Sequence, residues 1–147
     1  MHRKEEDKTL TDMERALRRN GWIIGAFGVG FAATAVPPLH GLLHVFLQLA
    51  YWPLAEIPKA LPAPVGLGVA ISGGVTAGLG AALWALGRHV APVAPEAARA
   101  VARRSGWVWF IVDGSASAAV GAPFNIVLNL IFLALILLPV RDRNAAP

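Results

Sequence analysis

The sequence predicts an all-α membrane protein, a polytopic bundle of transmembrane helices. Of its 147 residues, 56% are hydrophobic and only 15% are charged, and the mean hydropathy is +0.56. Soluble domains carry about 25% charged residues. Three stretches, 20–55, 60–87 and 105–140, are almost free of charge, and each can hold a helix that crosses a hydrocarbon core of about 30 Å. This composition excludes a disordered chain, a nucleic-acid-binding tail and a conventional soluble enzyme.

Proline and glycine interrupt the two outer stretches. Each stretch would be about 54 Å long as one helix, too long for a single straight crossing, and the breaks fall at Pro37-Pro38 and at Gly121–Pro123. We therefore predict four crossings, with the last stretch folded as a hairpin and 38–54 as a re-entrant or interfacial helix, or the kinked end of a tilted one. Five crossings, with a hairpin in both outer stretches, is the alternative. The four crossings are expected at about 21–55, 65–87, 105–121 and 124–140.

The basic residues predict the orientation of these crossings. With four crossings, 12 of the 13 Lys and Arg residues fall on one side, and only Lys59 falls on the other; five crossings would divide them 7 against 6. Basic flanks mark the cytoplasmic side, and arginine-rich, alanine-rich usage suggests a bacterial gene. We expect an inner-membrane protein with both termini in the cytoplasm. Its cytoplasmic parts would be an amphipathic N-terminal segment at 1–20, a basic loop at 88–104 and a tail at 141–147.

A partial internal repeat links the two outer stretches. At an offset of 85, RRNGW at 18–22 matches RRSGW at 103–107, and a short amphipathic helix is expected before each outer membrane segment. The repeat predicts a duplicated helical unit, of a kind that is frequent among transporters but not confined to them. The other matched pairs are Pro38 with Pro123, His40 with Asn125, and His44 with Asn129.

Asp113 is the main candidate for intramembrane chemistry. A helix would carry it about 13 Å inward from Arg104, at a cost of roughly 2.5–3.5 kcal/mol on insertion scales. It could be a protonatable or cation-coordinating group in a transport path. Alternatively, it is bonded to a neighbouring helix or stays hydrated near the interface. The candidate intramembrane polar site consists of Asp113, Ser115, Ser117, His40, His44, Gln48, Asn125 and Asn129.

The histidine stripe alone does not predict a metal site. His40, His44 and Gln48 follow one another at i, i+4 and i+8, on one side of a helix. Two histidines at this spacing can bind zinc only with further ligands, and the chain has no cysteine. Hydrogen bonding between helices is the favoured role for this stripe. We predict no metal, no cofactor and no catalytic residue.

Small residues predict close contacts between helices. Faces rich in glycine allow membrane helices to approach closely, either within this chain or against another protein. The residues expected at such contacts are Gly21, Gly25, Gly28, Gly74, Gly78, Gly114 and Gly121.

These features favour a small non-catalytic membrane protein, an accessory or assembly component of a larger complex. Its partners would be membrane lipids and either another protein or further copies of itself, and not nucleic acid. A proton- or cation-coupled transporter, acting as a homo-oligomer through Asp113, is the alternative. A lipid-directed membrane enzyme is the third hypothesis, which rests on the basic loop and the histidine stripe.

Overall fold

The chain folds into helices throughout the part that the structure describes. The computed structural model describes residues 2–53 and 62–141; residues 54–55 of the first predicted crossing, Lys59 and residues 142–147 of the predicted tail lie outside them. Within the described ranges there is no strand, which agrees with the predicted all-α class. The five helices there are α1 (His2–Ala33), α2 (His40–Ala50), α3 (Ala63–Ala85), α4 (Pro95–Ala119) and α5 (Pro123–Leu137).

The two amphipathic segments are continuous with the apolar helices that follow them. The predicted 1–20 segment forms the first turns of α1, and the second half of the predicted 88–104 loop forms the first turns of α4. The one proline in these two helices is Pro95, the first residue of α4, where proline is tolerated, and isolated glycines are tolerated in helices. A separate short helix before each membrane segment is therefore not observed.

The predicted breaks end helices, but they have different geometries. α1 ends before a short 3-10 turn at Pro37–Leu39, and α2 leaves at an angle of 111°. α4 ends before Gly121, whose φ of 74° favours glycine. α5 then begins at Pro123, because proline fits the first turn of a helix.

Two of the helical segments are long and apolar enough to cross a membrane, Pro64–Val90 and Pro123–Val140. The bent pair of α1 and α2 would add a third if it forms one span. α4 is not among them, since Arg103, Arg104 and Asp113 lower its hydropathy. The crossing predicted at 105–121, and with it the four-crossing topology, therefore stays a prediction.

α1 and α3 are antiparallel and touch through their backbones. A Cβ added at Gly21 would lie 2.6 Å from the Gly80 carbonyl oxygen, and one at Gly28 would lie 2.7 Å from the Gly73 carbonyl oxygen. Both distances are shorter than any Cβ contact can be, so only glycine fits. Residues later in α1 contact residues earlier in α3, so the two helices are antiparallel.

α4 and α5 form an antiparallel hairpin around Gly121. A Cβ at Gly106 would lie 2.9 Å from Ile136 Cγ2, and one at Gly114 would lie 4.0 Å from Ile126 Cγ2. These pairs are nearly equidistant from Gly121 along the chain, as expected when the second helix returns along the first.

The buried core collects at the end of the molecule that holds most of the arginines. It is formed by residues 13–24 of α1, the end of α3 and the turn after it, the start of α4, and the end of α5 and the short turn that follows it. Alanines of α4 allow close packing there. Its buried members are Met13, Leu17, Ile24, Leu83, Ala91, Ala98, Ala102, Ile136 and Val140.

The two halves of the sequence repeat pack differently. α1 packs against α3, and the next helix, α2, leaves α1 at an angle of 111°. α4 is followed instead by α5, which returns along it. Asn20 is buried, but its counterpart Ser105 is exposed. Internal duplication therefore stays a prediction from the sequence alone.

Candidate functional site

Four of the predicted polar residues meet inside the α4–α5 hairpin, and we refer to them as the Asp113 cluster. Asp113 Oδ1 accepts hydrogen bonds from Asn129 Nδ2 at 2.6 Å, from Asn125 Nδ2 at 3.1 Å and from Ser117 Oγ at 3.1 Å. The Ser117 hydroxyl oxygen also accepts a bond from Asn125 Nδ2 at 2.9 Å. The Asp113 cluster is thus a connected network between two helices.

Helical spacing and the position of the turn bring these side chains together. Asp113 and Ser117 are four residues apart on α4, and Asn125 and Asn129 are four residues apart on α5, so each pair lies on one face of its helix. Both Asp113 and Asn129 are eight residues from Gly121 along the chain. An antiparallel hairpin that turns at this glycine therefore places the two pairs opposite each other.

Ser117 and Asn129 are buried, with 7% and 6% of their surface exposed, while Asp113 and Asn125 are half-buried. The cluster directs three hydrogen-bond donors at one oxygen of Asp113. Two amides and a hydroxyl all donate to Oδ1. Because Asn125 and Asn129 lie on α5 and Asp113 lies on α4, these bonds join the two helices.

The remaining polar candidates are placed elsewhere. Ser115 is exposed on α4, because it is two residues from Asp113 and therefore lies on another face. His40 is exposed, and its Nε2 lies 3.0 Å from the carbonyl oxygen of Ala35, in the turn before α2. His44 is half-buried and Gln48 is exposed. Among the side chains that the structure describes, no hydrogen bond connects this stripe to the Asp113 cluster.

The packing glycines divide into used and unused faces. Gly21, Gly25 and Gly28 face α3. Gly74 and Gly78 do not pack within the described part of the chain, since a Cβ at either would meet nothing within 4 Å.

The glycines of α3 that contact α1 are Gly73 and Gly80, whereas the GxxxG spacing favoured Gly74 and Gly78. Both are buried. Their spacing of seven residues, equal to that of Gly21 and Gly28, is the signal that could have identified them. α3 is apolar on all sides, so the GxxxG spacing by itself did not indicate which of its faces is turned inward.

Of the last two predicted packing glycines, Gly114 faces Ile126 at van der Waals distance. Gly121 has open space around it and a positive φ, so it serves the turn rather than a helix contact.

Two further polar contacts hold the end of α5. Asn20 Nδ2 donates to the Leu135 carbonyl oxygen at 2.7 Å, and Arg103 Nη2 donates to the Val140 carbonyl oxygen at 3.0 Å. Carbonyl groups at the end of a helix have no backbone N–H group of the same helix to bond to, so side chains can donate to them. Asn20 was not a candidate in the sequence analysis, although its place on the face of Leu17 and Ile24 marks it as a polar residue on a buried side.

In the residues that the structure describes, no group of three or more His, Asp or Glu side chains is arranged to hold a metal ion. The Asp113 cluster is a hydrogen-bonded arrangement whose geometry is suited to holding α4 and α5 together. No family model, no curated protein and no solved structure matches the chain.

Proposed function

We propose that this chain is a non-catalytic, multi-pass component of a bacterial inner membrane that packs against a larger membrane protein. Two or three apolar helical segments of membrane-spanning length support the membrane setting. The basic residues at one end of the molecule favour an orientation with that end in the cytoplasm.

The observation that carries the proposal is the outward face of α3. Gly74 and Gly78 are exposed at GxxxG spacing, and space is open around both. Leu67, Ile71 and Val75, also on α3, are 58–66% exposed. Glycine weakens a helix, but it allows another helix to approach closely. A face with two exposed glycines is therefore suited to contact with a helix of another protein.

The Asp113 cluster supports a structural use of the one acid predicted within the membrane. Oδ1 of this carboxylate is surrounded by donors, whereas a bound cation needs acceptors such as carbonyl and carboxylate oxygens. The arrangement favours helix fastening over the alternative of cation transport through Asp113. The transport hypothesis predicts that Asp113→Asn abolishes transport and leaves membrane insertion intact.

Co-purification tests the proposal. The tagged full-length chain is extracted from its native membrane in a mild detergent, and the co-eluting proteins are identified and quantified. We expect a larger membrane protein at fixed stoichiometry. Replacing Gly74 and Gly78 together with leucine should remove it, because the side chains would fill the close-packing face.

Gly30→Leu provides the matched control. Gly30 is exposed on α1, and a Cβ there also meets nothing within 4 Å, so this variant adds a leucine side chain on the face of a different helix. It should retain the partner. Elution of the wild-type chain as a lone monomer would refute the proposal, as would full retention of the partner by the Gly74 and Gly78 double variant. A homo-oligomer without another protein would favour the transport hypothesis.

A further inference from the structure

The two RRxGW segments, 18–22 on α1 and 103–107 on α4, have the same orientation in the structure. Each residue of an α-helix is turned by about 100° from the one before. The two arginines and the tryptophan of each segment therefore lie on one side of the helix, within an arc of about 100°. The glycine lies next to this arc, and the buried core positions lie opposite it. All four arginines are exposed. Trp22 is 70% exposed and Trp107 is 47% exposed.

The glycine of each segment fixes this orientation. A Cβ at Gly21 would lie 2.6 Å from the Gly80 carbonyl oxygen on α3, and one at Gly106 would lie 2.9 Å from Ile136 Cγ2 on α5. Each helix is therefore pressed against its neighbour at the glycine. The tryptophan beside it is exposed, and so are the arginines. Two of these arginines also bond within the bundle, since Arg19 Nε donates to Asn20 Oδ1 and Arg103 Nη2 donates to the Val140 carbonyl oxygen.

Both segments lie at the same end of the molecule, next to the end of α5. Asn20 in the first segment donates to the Leu135 carbonyl oxygen, and Arg103 in the second donates to the Val140 carbonyl oxygen. Among the side chains that the structure describes at this end, arginines outnumber acids. Its arginines are Arg15, Arg18, Arg19, Arg88, Arg99, Arg103, Arg104 and Arg141, against the acids Asp12, Glu14 and Glu96.

Two of these three acids are already engaged locally. Asp12 pairs with Arg15 at 3.4 Å, and Glu96 pairs with Arg99. Both pairs lie within one helix and use arginines outside the two RRxGW segments.

We propose that the two RRxGW segments are binding sites for the head groups of anionic phospholipids. Guanidinium groups bind phosphate oxygens through paired N–H donors, and the indole of tryptophan favours the level of the head groups and ester groups. After Trp22 the chain continues as an apolar helix, and after Trp107 it continues into the hairpin. In a membrane, the tryptophan of each segment therefore lies nearer the acyl chains. The arginines, about one turn earlier along the helix, lie nearer the phosphate groups.

This arrangement favours a lipid over free phosphate. A soluble phosphate ion would gain from the arginines alone, whereas the exposed tryptophan one turn along the helix adds a contact only for a ligand with an apolar part. The proposal requires that the chain lies in a membrane. It does not require the protein partner proposed above.

Quenching of tryptophan fluorescence by brominated lipid tests the proposal. The full chain is reconstituted into phosphatidylcholine vesicles with a minor fraction of phosphatidylglycerol, and the bromine is carried either by that phosphatidylglycerol or by an equal amount of phosphatidylcholine. We expect several-fold stronger quenching by the brominated phosphatidylglycerol, because it is enriched beside Trp22 and Trp107. Equal quenching by the two lipids would overturn the proposal, and this comparison needs no variant.

Variants then locate the sites. Replacing Arg19 and Arg104 with glutamine should lower the enrichment by about fivefold for each arginine, with the helical circular dichroism unchanged. Arg15→Gln is the matched control, since Arg15 is exposed on α1 but pairs with Asp12, and it should leave the enrichment intact. Wild-type enrichment in the folded double variant would overturn the assignment to these segments.

A competition experiment separates the two sources of phosphate. Millimolar inorganic phosphate is added at constant ionic strength, with chloride as the reference salt. The enrichment of phosphatidylglycerol should persist. Its complete loss in phosphate but not in chloride would mean that the segments take free phosphate, and would overturn the proposal of lipid binding.

Discussion

Replacement of Gly28 by alanine should destabilise the contact between α1 and α3. The new Cβ would lie 2.7 Å from the Gly73 carbonyl oxygen and 2.8 Å from Ala77 Cα, and it would also meet the Ala77 nitrogen. Ordinary contacts between such atoms need about 3.5 Å, so the two helices must separate by about 1 Å. All three obstructing atoms belong to the backbone, so no side chain can move aside instead.

The magnitude follows from comparison with Gly30→Ala. Gly30 lies two residues further along α1, and a Cβ there meets nothing within 4 Å. Alanine favours helix over glycine by about 1 kcal/mol at either position, so this contribution cancels in the difference. What remains is the cost of overpacking, about 1–3 kcal/mol. Obstruction by backbone alone places the expected difference near 3 kcal/mol.

Reversible unfolding in mixed micelles of a mild detergent and SDS measures this difference. Circular dichroism follows the loss of helix. Tryptophan fluorescence follows the loss of tertiary packing as a second signal. Gly28→Ala should unfold at a lower SDS fraction than wild type, and Gly30→Ala should unfold at an equal or higher one. Equal free energies of unfolding for the two variants would refute the backbone contact.

Three further substitutions test the hairpin and its attachment to α1 by the same assay. Asp113→Ala leaves three donors without their acceptor and should lower the free energy of unfolding by roughly 2–3 kcal/mol, given the strength of single hydrogen bonds in membrane bundles. Ser115→Ala, on an exposed face, should leave it unchanged, and equal effects of the two substitutions would contradict the network. Asn20→Ala removes the bond to the end of α5 and should cost about 1 kcal/mol, while Ser105→Ala, at the exposed matching position, should leave stability unchanged. Gly121→Ala forces a positive φ on alanine and should cost about 1–2 kcal/mol, and unaltered stability would show that the turn can be made another way.

The Asp113 cluster illustrates what the sequence could predict. Polar pairs at i, i+4 on both sides of a glycine break, with Asp113 and Asn129 equally far from Gly121, indicate both the hairpin and its bonding partners. Ser115 did not follow this pattern, because two residues along a helix is a change of face.

Other features depend on tertiary packing that local patterns do not encode. A proline break precedes both α2 and α5, yet one follows a bend of 111° and the other a return along the preceding helix. The sequence indicates where a helix ends, while the direction of the next helix depends on the surface against which it packs. The face of α3 was also ambiguous, since Gly74 and Gly78 have the spacing of a packing motif and lie on the open side.

The pairing of Asp113 with side chains of α5 has a consequence for biogenesis in the proposed membrane setting. As the chain emerges from the ribosome, α4 is synthesised before the residues that satisfy its carboxylate, and Asn129 follows 16 residues later. α4 is not apolar enough to be a membrane span on its own, whereas α5 together with the turn that follows it, Pro123–Val140, is. The two helices are therefore expected to leave the translocation channel together as one unit, with the later helix drawing the earlier one into the lipid. A chain that stops after the turn would leave an acid in hydrocarbon without its partners, and α4 would then be expected to remain outside the membrane.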